Sequence, residues 1–230
     1  VAMSLALVCG AIATGALAFA SYRERVVVQR LVLRLRDLKT RDATLRSLHF
    51  RVDQAVASRS EFRIEEALRF TLEPLIIAGL WDEVSALTRR AHHQETHSAF
   101  GRWLAGVRAL AELYRGELDA AEAVLAGLSL DDPWLAAVDA LRLALTGRGD
   151  DALQRIADAG PSPNLAVRYQ RDLAEVHALA ANGRRSEARQ RIEASIRRND
   201  GFVDAVLDLE GPASPIARAV VAGPAGPFRG

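Results

Sequence analysis

Five histidines and one cysteine are the side chains of this 230-residue chain best suited to soft-metal ligation, and three of them cluster: His92, His93 and His97 in the run AHHQETH. On a continuous helix His93 and His97 share a face, a spacing at which two imidazoles can hold a transition metal. The acidic neighbour Glu95 points away from that face and no HExxH is present, so the segment reads as a surface linker with no metal assigned. His49 and His177 stand alone. Cys9, the single cysteine, rules out internal disulfides and cysteine metal clusters. The chain has neither a GxGxxG leading into a helix nor a P-loop, and GxSxG is absent too. Carboxylates sit beside arginines at helical spacing, as Glu65 does with Arg69, and read as solvated pairs. No catalytic residue and no cofactor is expected.

The elements that carry these residues are helical. Hydrophobic residues make up 50% of the chain but aromatics only 6%, so the apolar content is chiefly Ala, Leu and Val. That mix favours helices packed closely through small side chains. A formal net charge of +1 removes the global electrostatic argument for nucleic-acid binding. Lys39 is the one lysine among many arginines, which reads as genomic base composition.

Residues 1–22 open with VAMSLALVCGAIATGALAFAS, which holds no charge. About 20 apolar residues suffice to cross a bilayer core of ~30 Å, so a transmembrane helix is expected, with Tyr22 and Arg23 as interfacial anchors. A cleaved signal peptide is the rival reading, since Ala18-Phe19-Ala20 resembles a small-x-small cleavage site, but no basic stretch precedes the apolar run. Lipidation at Cys9 is disfavoured by the bulk of Val8. Ala6 with Gly10, and Ala11 with Gly15, are small residues four apart that would let another membrane helix approach. Arg23, Arg25, Arg30, Arg34, Arg36, Lys39 and Arg41 come within about 20 residues of the run, and such basic flanks prefer the cytoplasm.

No Gly or Pro occurs between Ala16 and Glu73, so residues 23–60 are expected to continue as a long helix. Leu31, Leu35, Leu38, Leu45, Val52 and Val56, with Asp42 and His49 in the same register, trace a seam of period 3.5. It reads either as a coiled coil that pairs two copies through residues 31–56 or as an amphipathic helix docked on the helices C-terminal to it.

Residues 61–200 hold four related segments: GLWDEV from Gly79, GELDAA from Gly116, GRGDDA from Gly147 and GRRSEA from Gly183, spaced by 37, 31 and 36 residues. Each glycine suits a helix end with positive φ. The Asp or Ser three positions on is expected to cap the next helix, and the small residue after it lets two helices approach. Pro74 is expected to interrupt the helix before Gly79.

This design resembles tetratricopeptide (TPR) repeats, hairpins of about 34 residues with Gly at the turn and Ala in the second helix. Pro133 falls where that family often has Pro between repeats, whereas Trp103 and Trp134, each thirteen residues before its turn glycine, depart from the usual aromatic position. The resemblance implies an all-α chain: membrane helix, juxtamembrane helix, then an α-hairpin solenoid whose concave face binds proteins. Candidates for that face are Trp103, Arg108, Leu110, Tyr114, Trp134, Leu141 and Arg142. The competing reading has Trp103 and Trp134 filling gaps between hairpins.

Arg184, Arg185, Arg189, Arg191, Arg197 and Arg198 form a basic run in the last repeat, either a contact for anionic lipid, nucleic acid or an acidic partner, or simply a solvated face. Residues 201–230 read as a short helix followed, after Glu210, by a Gly/Pro-rich tail that bars a long helix. The expected protein is a scaffold or adaptor without enzymatic activity, similar to bacterial inner-membrane TPR proteins that serve complex assembly. A permanent accessory subunit and an exported soluble repeat protein are the alternatives.

Overall fold

The computed structural model describes residues 26–91 and 98–198. The expected membrane helix with its packing residues Ala6, Gly10, Ala11 and Gly15, the histidine cluster and the tail from 201 lie outside them. Among the described residues the chain is all-α, with no strand, and no helix is long and apolar enough to cross a membrane. Two compact units divide at Ala78 and Gly79.

The first unit comprises α1 (26–36), α2 (Arg41–Ala57) and α3 (Glu61–Ile77). The expectation of one unbroken helix through this region is corrected by a turn at 37–40. Its cause is local side-chain competition for backbone groups, needing neither Gly nor Pro. Thr40 Oγ1 donates to the Arg34 carbonyl at 2.8 Å, Arg41 Nε donates to the Leu35 carbonyl at 2.7 Å, and Asp37 Oδ1 accepts from the Lys39 amide at 3.0 Å. The seam is accordingly split. Leu35 and Val52 are fully buried within the chain, while Leu38 and Val56 are exposed. On α2 the buried positions are Thr44, Leu48, Val52 and Ala55, a helical stripe on an element that packs against α3. Helix α3 runs on to Ile77 through Pro74, so the expected interruption does not occur. Pro74 lacks the amide that would bond the Phe70 carbonyl, so the ladder loses one bond while the helix continues.

The second unit comprises α4 (Trp81–Arg90), α5 (Ala99–Arg115), α6 (Leu118–Leu125), α7 (Pro133–Leu145), α8 (Gly149–Asp158), α9 (Leu165–Ala181) and α10 (Arg185–Arg198). Three hairpins succeed one another: α5 with α6, α7 with α8, α9 with α10. Their first helices also pack in succession, α5 on α7 and α7 on α9, and α4 packs on α5. Helix α7 is central and its sequence says why. It is apolar nearly all round, and Leu135 to Leu141 are buried without a break, with Ala136, Ala137 and Ala140 at 1% exposure or less. A helix apolar on every side has no solvent face to offer.

The turns repeat one backbone solution. Gly79, Gly116, Gly147 and Gly183 all have φ between 70° and 81°, the left-handed region open to glycine. After Gly116, Gly147 and Gly183 the next amide closes on a carbonyl five residues back: Glu117 to Glu112 at 2.9 Å, Arg148 to Leu143 at 2.9 Å and Arg184 to Leu179 at 2.8 Å. This is the Schellman closure. The residue that then starts the next helix also recurs in conformation, with φ/ψ of −87°/63° at Leu80, −89°/65° at Glu117 and −95°/55° at Arg148.

Asp82, Asp119 and Asp150 are not caps, contrary to expectation; no side-chain cap bond forms at these three starts. The turn inserts its own cap residue after the glycine, which shifts each Asp into the first helical turn, where it faces the positive end of the helix dipole. True side-chain caps open the first helices of the hairpins. Ser98 accepts from the Gly101 amide at 2.8 Å, and Asp132 accepts from Trp134 at 2.9 Å with Pro133 at the first position.

Candidate functional site

The residues expected on one open face divide by burial. Leu110 and Leu141 are core, at 5% and 2% exposure. Tyr114 is half-buried and its ring stacks on Trp81 at 4.2 Å with planes 5° apart, joining α5 to α4. Trp134 is half-buried and lies across Gly106 of α5, its Nε1 donating to the Trp103 carbonyl at 3.2 Å. Trp103 is half-buried beside Phe100, with ring centroids 5.6 Å apart. Arg142 is ion-paired within the second unit, its side chain only 11% exposed. Trp103, Arg108, Tyr114 and Trp134 are thus all half-buried; Tyr114 and Trp134 are engaged with neighbouring helices, and the buried Nε of Arg108 has no hydrogen-bond partner. The packing of Trp134 between α5 and α7 matches the reading in which it fills a gap between hairpins.

The contact of Trp134 with Gly106 is close enough to be tested by a double-mutant cycle. A Cβ on Gly106 would run into Trp134 Nε1 and lie 2.7 Å from its Cδ1. Gly106→Ala is therefore expected to destabilise by about 2–3 kcal/mol in urea unfolding, against the usual helical gain of ~1 kcal/mol for this exchange. In a Trp134→Ala background the same change should be neutral or stabilising. Additive effects would mean that the ring does not sit over the glycine.

A set of residues missed in the sequence is more coherent than the expected face. Three carboxylates on first helices are buried and each is held by an arginine from an adjacent helix. Glu112, 1% exposed, accepts from Ser85 Oγ at 2.8 Å, from Arg89 Nη2 at 2.8 Å and from Arg115 Nη1 at 2.6 Å. Arg115 Nε also reaches Asp82 at 2.7 Å, linking both ends of α4 to α5. Asp139, 3% exposed, pairs with Arg142 at 2.9 Å and with Arg155 of α8 at 3.1 Å, and Arg142 continues to Glu122 of α6 at 3.5 Å. Asp172, 9% exposed, accepts from Arg191 of α10 at 2.7 Å and from Ser195 at 2.7 Å.

The net effect on Glu112 results from competing causes. Burial by itself raises its carboxyl, but the hydrogen bonds from Arg89, Ser85 and Arg115 together outweigh it and hold the group below its ordinary 4.5. A signal for these residues did exist. Positions 112, 139 and 172 precede Gly116, Gly147 and Gly183 by 4, 8 and 11 residues, a spacing that keeps one helix face relative to the turn. Among so many Arg and Asp/Glu residues it did not stand out.

The basic run is neutralised at two of its four described arginines. Arg184 forms a forked pair with Glu187 at 2.8 and 2.6 Å, which raises the arginine and lowers the glutamate. Arg191 is occupied by Asp172 and by Glu175 at 2.7 Å. Arg185 and Arg189 have no ion pair among the described residues, and the side chains of Arg197 and Arg198 lie outside them. An open groove of about 380 Å³ between α8, α9 and α10 is rimmed by these compensated pairs. Among the described residues no group of three His, Cys, Asp or Glu is placed to hold a metal ion.

Comparison with protein-family profiles, with characterised proteins and with solved structures finds no match to this chain. The packed helices, with their recurrent turn, are compatible with a helical-repeat fold.

Proposed function

We propose that the chain is a membrane-anchored, TPR-like scaffold that binds other proteins during assembly or stabilisation of a membrane or envelope complex, with no catalytic role of its own. The observation that carries this reading is the recurrence of one helix-to-helix turn. The same positive-φ glycine and the same helix-starting conformation appear in successive repeats of 31 to 37 residues. Arrays of this kind present stacked first helices as an extended surface, and their usual use is recognition of a peptide or partner helix. The charge-free run at 1–21 supports the anchor through its length and composition, and the basic residues after it support a cytoplasmic placement of the repeats. A bacterial inner membrane is the setting we assign.

The part of the surface we assign to partners is the half-exposed stretch of α5 around Trp103 and Arg108. The test is purification of the tagged protein from membranes in mild detergent, with quantitative mass spectrometry at low and high salt. An adaptor is expected to yield a graded set of partners that is lost at high salt and reduced by Arg108→Glu. Partners in fixed ratio at both salts would make the chain a permanent subunit instead. Recovery in the soluble fraction without the apolar segment would remove the anchor.

A further inference from the structure

All six large hydrophobic side chains exposed among the described residues lie in the first unit: Val27, Leu33, Leu38, Phe50, Val56 and Phe62. Three of them are arranged along α1 and the turn after it. Helix α1 turns Val32 and Leu35 inward, at 8% and 0% exposure. Its opposite face, at helical spacing, carries Val27, Arg30, Leu33 and Arg34, and Asp37, Leu38 and Lys39 come next in the turn. Val27, Leu33 and Leu38 are 39%, 67% and 76% exposed. The one acid here, Asp37, is engaged locally by the Lys39 amide and the Thr40 hydroxyl. The stripe therefore alternates apolar side chains with Arg30, Arg34 and Lys39, which leave it net positive with Asp37 counted.

We infer that this stripe of α1 lies against an anionic lipid surface, with Leu33 and Leu38 entering the headgroup region and Arg30, Arg34 and Lys39 meeting lipid phosphates. Two observations select lipid over a second copy of the chain. A symmetric pairing of stripes would set the same cations against each other, whereas an anionic bilayer complements them. Only five residues separate Val27 from the apolar run that ends at Ser21, which limits the gap to about 20 Å even fully extended. The inference rests on the membrane-anchor reading for that proximity.

The test uses the full chain with Cys9→Ser, carrying either Leu33→Cys or, as a reference on the exposed side of α8, Ala157→Cys. Each is reconstituted in phosphatidylcholine vesicles with or without about a third phosphatidylglycerol, and the rate of labelling by a membrane-impermeant maleimide is measured. Leu33→Cys is expected to label at least about tenfold more slowly on the anionic vesicles once normalised to Ala157→Cys, and combining Arg30→Glu, Arg34→Glu and Lys39→Glu should abolish the difference. Equal normalised rates on both vesicles would overturn the inference. Protection that is the same on neutral lipid and grows with protein concentration would also overturn it, since a second copy would then cover the stripe. Retention through an alkaline wash reads the anchor separately. If the chain washes off, the anchor reading fails, and vesicles added from outside still decide whether the stripe binds anionic lipid.

Discussion

Gly149→Ala is expected to destabilise the protein by about 2–4 kcal/mol, lowering the thermal midpoint by roughly 5–12 °C, although alanine is the better helix former. Gly149 begins α8, and a Cβ there would lie 2.7 Å from the Ala178 carbonyl of α9 and run into Asn182 Oδ1. The asparagine can swing away, but doing so breaks its 2.8 Å bond to Asp150. The carbonyl cannot, because it belongs to the last turn of α9 and accepts from the Asn182 amide at 3.1 Å. The helices must therefore separate, and a close-packed interface of small residues loses contacts along its length.

Gly147→Ala supplies the control, two residues away. Its Cβ would meet nothing within 4 Å, but φ is +81°, so the cost is conformational and near 1 kcal/mol. Calorimetry or urea titration of the two variants separates steric from backbone strain. If Gly149→Ala proves as mild as Gly147→Ala, α8 and α9 are not in the close contact described.

Removing the Glu112 carboxylate is the second change with a large expected effect. Glu112→Gln is expected to cost about 2 kcal/mol and Glu112→Ala about 3 kcal/mol in urea unfolding. These values sit at the lower end for a broken buried pair because Arg89 is 52% exposed and Arg115 28%, so water can solvate both guanidinium groups once the acid is gone. Ser85 has no such recourse, being 3% exposed.

The pH dependence has a definite sign. The folded-state carboxyl is held below its ordinary 4.5, so the unfolded chain binds the proton first as pH falls. The stabilisation is complete above that value and is lost progressively as pH drops through it toward the folded pKa. Stability of the parent protein should accordingly fall more steeply below about pH 4.5 than that of Glu112→Gln. Parallel slopes would mean that Glu112 is not held ionised by its partners.

What the sequence by itself determined was local. A glycine followed by a short polar run and an apolar helix pattern identifies a turn with positive φ wherever it occurs, and all four turn glycines adopt it. The all-α class was legible for the same reason, since helical spacing and the Pro at 133 are properties of neighbouring residues, whereas the side-chain caps were expected at Asp82, Asp119 and Asp150 and stand at Ser98 and Asp132. Even locally some signals were ambiguous. Asp37 and Thr40 end α1 through side-chain bonds that composition does not announce, and Pro74 is absorbed near the end of α3.

Only the tertiary structure decided which side of each helix is used. Leu110, Tyr114, Trp134 and Leu141 have the spacing of an outer face and of a core alike. The approach of α7 to α5 and of α4 to α5 made them packing residues. The buried acids Glu112, Asp139 and Asp172 were equally hidden, because a carboxylate beside arginines at helical spacing looks like any solvated pair until neighbouring helices exclude the water. Spacing records where a side chain points along its own helix, and burial depends on which helix arrives to cover it.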